Sequence, residues 1–348
     1  MTTSAGGMTL AQDERIDGTA RLDLSALMAL YGSVAMAVIV LVALVVFGAF
    51  SIDGFWSLVN LRSNLVFASF LGIATIGQTL CALIGGLDLS IPFVVGAANI
   101  GLVKLMNEGL LSGVGIAIIL VLAAAIGAFN GALSHRLRGQ SLVVTLGVGN
   151  AVLGLVQILV SSKGVTGISG GTIEGNVPEW IQSFSWFNNS IGVAPAVILW
   201  AALAILAIVI LRRTWFGRSL YALGGNQTAA ERVLISGPWS WTLVFSASAV
   251  TAALTGILLL GYSGSGYAGV GDPYLFTTIA AVLIGGTSLV GGRGGYGLSV
   301  LGVFILTVLQ TILSSYNLSS SAQEAILGAL ILPTVALYAR SPHPRMLI

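Results

Sequence analysis

Between Arg62 and Lys104 a single acid interrupts the chain: Asp88, in a stretch that reads LIGGLDLS over 83–90. An ionised side chain placed at bilayer depth costs about 2.5–3.5 kcal/mol even on lenient insertion scales, so such a residue generally has a partner or a task. Two tasks fit. Asp88 or Ser90 could cap a helix beginning just after it, with Pro92 tolerated in the first turn. Alternatively, Asp88 could stand in a solute path. The other polar groups in the apolar stretches are neutral amides: Gln78, Asn99, Asn130, Asn150, Gln157 and Gln310. An amide both donates and accepts, which suits a hydroxylated, uncharged solute. Each could instead be interhelical glue worth about 0.6 kcal/mol. Gln78, Asp88, Asn150, Gln157 and Gln310 are the path candidates.

Other chemistries find few residues. Cys81 is the only cysteine, so there is neither a disulfide framework nor a cysteine metal site. His135 and His343 both lie in Arg-containing segments and read as solvated surface. No nucleophile, base and metal-ligand set is visible. The chain has no Gly-Lys dipeptide and hence no phosphate-binding loop of the form GxxxxGK[ST].

The elements that carry these residues follow from composition. Of 348 residues, 56% are hydrophobic and 7% are charged, against about 25% charged in soluble domains. No Asp, Glu, Lys or Arg falls in 24–52, 63–87, 109–135, 139–162, 180–211, 233–271, 273–292 or 294–323. Each gap reaches the roughly 20 residues that one helix needs to cross a bilayer. The expectation is an all-α, polytopic integral membrane helical bundle of about ten transmembrane helices. They are placed near 26–50, 64–84, 90–106, 112–130, 141–160, 191–211, 241–261, 274–290, 297–316 and 319–339. The third is short, and a re-entrant third span would lower the count to eight or nine.

Basic residues test that count, because Lys and Arg accumulate in cytoplasmic loops. With ten spans and both termini cytoplasmic, the inner segments hold Arg15, Arg21, Arg136, Arg138, Arg212, Arg213, Arg218, Arg232, Arg293, Arg340 and Arg345. The outer ones hold only Arg62, Lys104 and Lys163. Residues 1–23 form a polar cytoplasmic tail without the pattern of a cleavable signal. Residues 24–340 form the transmembrane domain and 341–348 a C-terminal tail. The longest outer loop, 161–190, carries Trp180, Phe184, Trp186 and Phe187, which suit a membrane interface or a protein docking from outside.

Two segments carry further information. LIGG recurs at 283–286, so Gly85 and Gly86 have counterparts in Gly285 and Gly286, followed by Gly291 and Gly292. Such pairs let a helix break beside a cavity or approach a neighbour closely. The cytoplasmic loop 212–240 contains Gly224, Gly225 and Asn226 as a turn, then TAAE at 228–231, a capping box between Thr228 and Glu231. A short helix is expected over 229–236, closed by Gly237 and Pro238. Its apolar face would be Ala230, Val233 and Leu234. It would insert into a partner's groove or lie on the membrane surface of its own protein.

FGRSLYALGGN followed by Ala229-Ala230, IAAVLIGGTSLVGGRGG at 279–295, and the earlier GGLDLS resemble the permease subunit of ABC importers for ribose, xylose and arabinose. The likeness runs from about residue 60 to 338 and carries no information on the particular sugar. It implies a bacterial inner-membrane subunit that pairs with a second permease copy or homologue. A solute-binding protein would deliver a monosaccharide from outside. Separate ATP-binding-cassette subunits, with their ATP and Mg, would drive transport. The short cytoplasmic helix would dock on that ATPase through Thr228, Ala229, Ala230, Glu231 and Arg232, next to Gly224, Gly225 and Asn226. The rival reading is a stand-alone, proton- or ion-coupled sugar carrier.

Overall fold

The computed structural model describes residues 24–137, 140–161, 172–186, 192–319 and 321–329. The two tails, Arg138, Lys163, Phe187 and His343 lie outside them. In order the chain forms α1 (Leu24–Ser51), α2 (Leu58–Leu83), α3 (Ile91–Asn107), α4 (Ser112–Arg136), α5 (Ser141–Ser161), β1 (Thr172–Glu174), α6 (Glu179–Ser185), α7 (Pro195–Arg213), α8 (Trp215–Gly225) and α9 (Gln227–Arg232). It continues with α10 (Gly237–Ser263), β2 (Ser265–Tyr267), a 3-10 turn (Ala268–Gly271), α11 (Tyr274–Ile284) and α12 (Tyr296–Ser315). A last helix, α13, is described over 321–329.

Seven of these helices, α1, α2, α4, α5, α7, α10 and α12, are long and apolar enough to cross a bilayer. Helices α2 and α10 are the buried axis, and are apolar all round for that reason. Helices α1, α4, α5 and α7 turn most of their apolar surface outward, as helices facing lipid do. The chain is a mostly helical, polytopic membrane protein.

Close helix packing explains many of the glycines. Gly127 and Gly131 are four apart on α4, and a Cβ on either would run into the α10 backbone at Phe245 or Trp241. This small-xxx-small spacing lets the two helix backbones touch, which substitutes for the missing hydrophobic drive inside lipid. On the opposite flank, buried Tyr296 donates to the Gly72 carbonyl at 2.8 Å and accepts from Trp200 Nε1 at 2.7 Å, so one hydroxyl ties α12, α2 and α7.

One expected span is not a continuous helix. The stretch placed at 274–290 is helical only over α11, which stops at Ile284. Ahead of it the chain descends in non-helical form along α3. A Cβ on Gly266 would meet Ile100 and Val103, the Tyr267 amide donates to Asn99 Oδ1 at 2.8 Å, the Ala268 carbonyl abuts Gly96, and Gly271 abuts the Pro92 carbonyl. Irregular backbone at such depth is tolerated only where protein or an aqueous cavity surrounds it. Asn99 supplies the protein part, since its Nδ2 also donates to the Gly256 carbonyl of α10 at 3.1 Å. The amide expected to be glue or path is glue.

The described part of the 161–190 segment also has structure. β1 pairs antiparallel with β2, Thr172 opposite Tyr267. Phe184 and Trp186 pack inward on the core, Trp186 at 5.3 Å from the Tyr262 ring. Only Trp180 among the described aromatics of this loop is exposed. Among the described residues, only Trp180 keeps the exposure that an interface anchor needs. At the C-terminal end of α3, Lys104 pairs with Glu108 at 3.3 Å.

Candidate functional site

The two glycine phrases meet. After α2, Gly86 N donates to the Cys81 carbonyl at 2.9 Å and Gly85 takes φ 78°. After α11, Thr287 N donates to Val282 at 3.0 Å and Gly286 takes φ 91°. Both are left-handed helix stops of the Schellman kind, in which glycine avoids a Cβ clash. The structural match is Gly85 with Gly286, one residue out of step with the letter-for-letter repeat. Gly292 N then donates to the Leu83 carbonyl at 2.9 Å, so the second break docks on the first. Gly224, at the end of α8, wedges between them: a Cβ there would overlap the Leu83 carbonyl and Gly292 N. A Cβ on Gly291 would lie 2.9 Å from Gly224 Cα and Gly85 N. Tyr221 of α8 adds a hydrogen bond to the Gly294 carbonyl at 2.8 Å. Three separate motifs of the sequence are one joint.

Helix α8 itself was not expected. Thr214 caps it, accepting from Gly217 N at 3.2 Å. The next helix also differs from expectation. α9 spans 227–232 rather than 229–236, and Asn226 is its cap, with Oδ1 accepting from Ala229 N at 3.0 Å. The Thr228–Glu231 capping box does not form: Glu231 Oε1 accepts from Gln227 Nε2 at 3.0 Å instead. The reason is that Asn226 has extended backbone angles, as an N-cap needs, while Thr228 already lies inside the helix. Ala230 is buried, and Glu231 with His135 crowds the Gly237 corner of α10. Thr228, Ala229, Glu231 and Arg232 are exposed. The expected apolar face divides: Ala230 points inward, whereas Val233 and Leu234 are 69% and 92% exposed. Leu234 occupies a left-handed conformation, φ 64°, at the helix stop.

Asp88 is buried between α2 and α3. Its Oδ1 accepts from Ser90 N at 2.9 Å and from Ser90 Oγ at 2.5 Å, and Asn130 Nδ2 reaches Ser90 Oγ at 3.0 Å. Ser90 stands at the cap position of α3 but makes no side-chain cap bond there. The trio ties the break to α4. Asp88→Ala should lower thermal stability by about 1–3 kcal/mol by leaving the Ser90 donors unmet in the interior. Asp88→Asn, which keeps an acceptor, should retain both the midpoint of unfolding in detergent and uptake. A wild-type midpoint for Asp88→Ala would remove Asp88 from the structural role.

The remaining path candidates separate. Asn150 is exposed on α5 and bonds its own Leu146 carbonyl at 2.9 Å. Gln157 is half-buried on the same helix. Gln78 is fully buried in α2, with its amide atoms unpartnered. Only Gln310 lines the large cavity, a space of about 810 Å3. Its walls are α2 (Asn60, Ser63, Phe67, Leu71), the start of α3 (Pro92, Phe93), the descending segment with α11 (Val270 to Thr277), α12 and α13. On α12 the lining residues Thr307, Gln310, Thr311 and Ser314 fall at i, i+3, i+4 and i+7, one face of a helix. Four of the five polar candidates thus stay apart from the cavity, and Thr307, Thr311, Ser63 and Asp272 were missed.

A bundle of membrane-crossing helices with a broken segment bordering a cavity is an arrangement that membrane transport proteins use. Residues 60–335 match the family described as branched-chain amino acid transport system, permease component. The chain belongs to that family. It is 32% identical over 291 residues to the inner membrane ABC transporter permease protein YjfF of Escherichia coli K12, covering 82% of this chain and 85% of that one. It is 29% identical to the ribose import permease protein RbsC of the same strain, over 81% of this chain and 86% of that one. The L-arabinose transport system permease protein AraH is 27% identical over 82% and 84%. No solved structure matches the chain.

Proposed function

We propose that the chain is the membrane-spanning subunit of an ATP-driven importer in a bacterial inner membrane, carrying a monosaccharide or a similar polyhydroxylated solute. Family membership across 60–335, with relatives named for ribose and L-arabinose import, is the observation that carries this reading. The neutral polar stripe of α12 supports the solute class, since hydroxyls and amides exchange hydrogen bonds with a sugar without burying a charge.

In this reading the chain crosses the membrane ten times with both termini in the cytoplasm. The seven long helices are joined by α3, by the broken 264–284 crossing and by the helix that begins at 321. A second permease copy or homologue completes the path, a solute-binding protein delivers the sugar, and ATP and Mg sit on separate ATP-binding-cassette subunits.

Coupling then has a mechanical route. The ATPase would hold Val233 and Leu234, just after α9, and α9 joins α8 across the single extended residue Asn226. Helix α8 is locked at Gly224 and Tyr221 to both helix breaks. Those breaks lead directly into α3 and out of α11, whose residues Pro92, Phe93, Tyr274 and Thr277 form the cavity wall. A displacement of α9 is therefore delivered to the cavity through backbone contacts.

The test is gentle affinity purification of the full chain from native membranes with mass spectrometry. An ATP-binding-cassette subunit in stoichiometric amount is the expected result. A chain that purifies alone, and whose sugar uptake follows the proton gradient, would replace this reading by the stand-alone carrier.

A further inference from the structure

Among the described residues, the lining of the cavity includes two carboxylates, Asp272 and Glu324, and no Lys, Arg or His. Asp272 follows the 3-10 turn at the foot of the descending segment, Glu324 lies on α13, and both face the same cavity. Both are exposed, neither is ion-paired among the described residues, and the remaining polar lining is neutral. A concave site of one sign with low-dielectric walls concentrates its field and acts on a solute before contact.

We propose that Asp272 and Glu324 form a charge filter: the cavity admits neutral and cationic solutes and rejects anions. Among polyhydroxylated compounds it passes free monosaccharides and amino sugars and turns away sugar phosphates and uronic acids. An anion entering would lose water and meet two like charges, with no side chain of opposite sign among the described lining residues. A neutral sugar meets the same carboxylates as acceptors for its hydroxyls. The inference rests on the cavity being the solute path of the proposed importer.

The filter is tested on the full chain in native membranes carrying Ser63→Cys, which places a thiol in the cavity wall. Cys81 is buried and out of reach of aqueous reagents. Labelling rates are measured with a trimethylammonium-bearing and a sulfonate-bearing methanethiosulfonate, each normalised to its rate on a free thiol in solution. The cationic reagent is expected to be favoured by at least about tenfold. Adding Asp272→Asn and Glu324→Gln should remove most of that preference. A normalised ratio near one, a ratio that the double neutralisation leaves unchanged, or a thiol that neither reagent reaches would each overturn the proposal. Uptake of labelled ribose, arabinose and fructose by cells holding the intact importer tests the transport reading separately. Sugar uptake without charge preference sinks the filter alone, and charge preference without sugar uptake sinks the sugar reading alone.

Discussion

Gly224→Ala is expected to abolish transport and to lower sharply the amount of folded chain recovered from membranes, while Gly225→Ala leaves both near wild type. The two glycines are neighbours at the end of α8, yet a Cβ on Gly224 would overlap the Leu83 carbonyl and Gly292 N, and one on Gly225 meets nothing within 4 Å. Overpacking a tight site costs about 1–3 kcal/mol where side chains can yield. Here the obstacles are backbone atoms of both helix breaks, joined to each other by the Gly292–Leu83 hydrogen bond. Relief requires pulling that joint open. Detergent extraction with size-exclusion chromatography and an unfolding midpoint, run beside uptake, reads the effect. Equal midpoints for the two variants would show that the joint has slack.

Leu234→Asp is expected to remove uptake and substrate-stimulated ATP hydrolysis while leaving the unfolding midpoint unchanged. Leu234 stands 92% exposed in a left-handed conformation, where a glycine would be more comfortable. Its side chain gives the isolated fold almost nothing, so loss of function at constant stability would come from a partner. Leu234→Gly sharpens the point: it should match or exceed wild-type stability and still lose coupling. Apolar side chains at the centre of an interface contribute 2 kcal/mol or more, about thirtyfold in affinity. Reversing Glu231 or Arg232, on the flank of the same short helix, should weaken coupling less. Full activity of Leu234→Asp would move the docking surface elsewhere.

Much of this architecture was legible because membrane helices announce themselves by the absence of charge. The charge-free gaps located α1, α2, α4, α5, α7 and α12 to within several residues at most of their ends. The broken crossing was not legible. Residues 264–273 are as uncharged as a helix apart from Asp272, and the structure they adopt depends on Asn99 and Pro92 of a segment far away in sequence. Asn226 out-competed Thr228 as cap because local backbone angles decide between two good capping residues, and these follow from how α8 ends. The amides divide for a physical reason: Asn99 bonds the Gly256 carbonyl of α10, Asn130 the Ser90 hydroxyl, and Asn150 its own helix. The signal that would have found the cavity was the spacing of Thr307, Gln310, Thr311 and Ser314, a polar face on an otherwise apolar helix.

The descending segment beside α3 has a mechanical consequence. A helix resists deformation because each residue is braced by bonds one turn away, so it tilts or shifts as a rod. Residues 268–273 have only a single 3-10 turn of their own and are braced instead by α3, where the Ala268 carbonyl abuts Gly96 and Gly271 abuts the Pro92 carbonyl, just below the Tyr267–Asn99 bond. Moving this wall would therefore require α3 to move with it. A strip of chain without a helical ladder thus borrows its stiffness from its neighbour: the chamber wall and α3 shift as one piece.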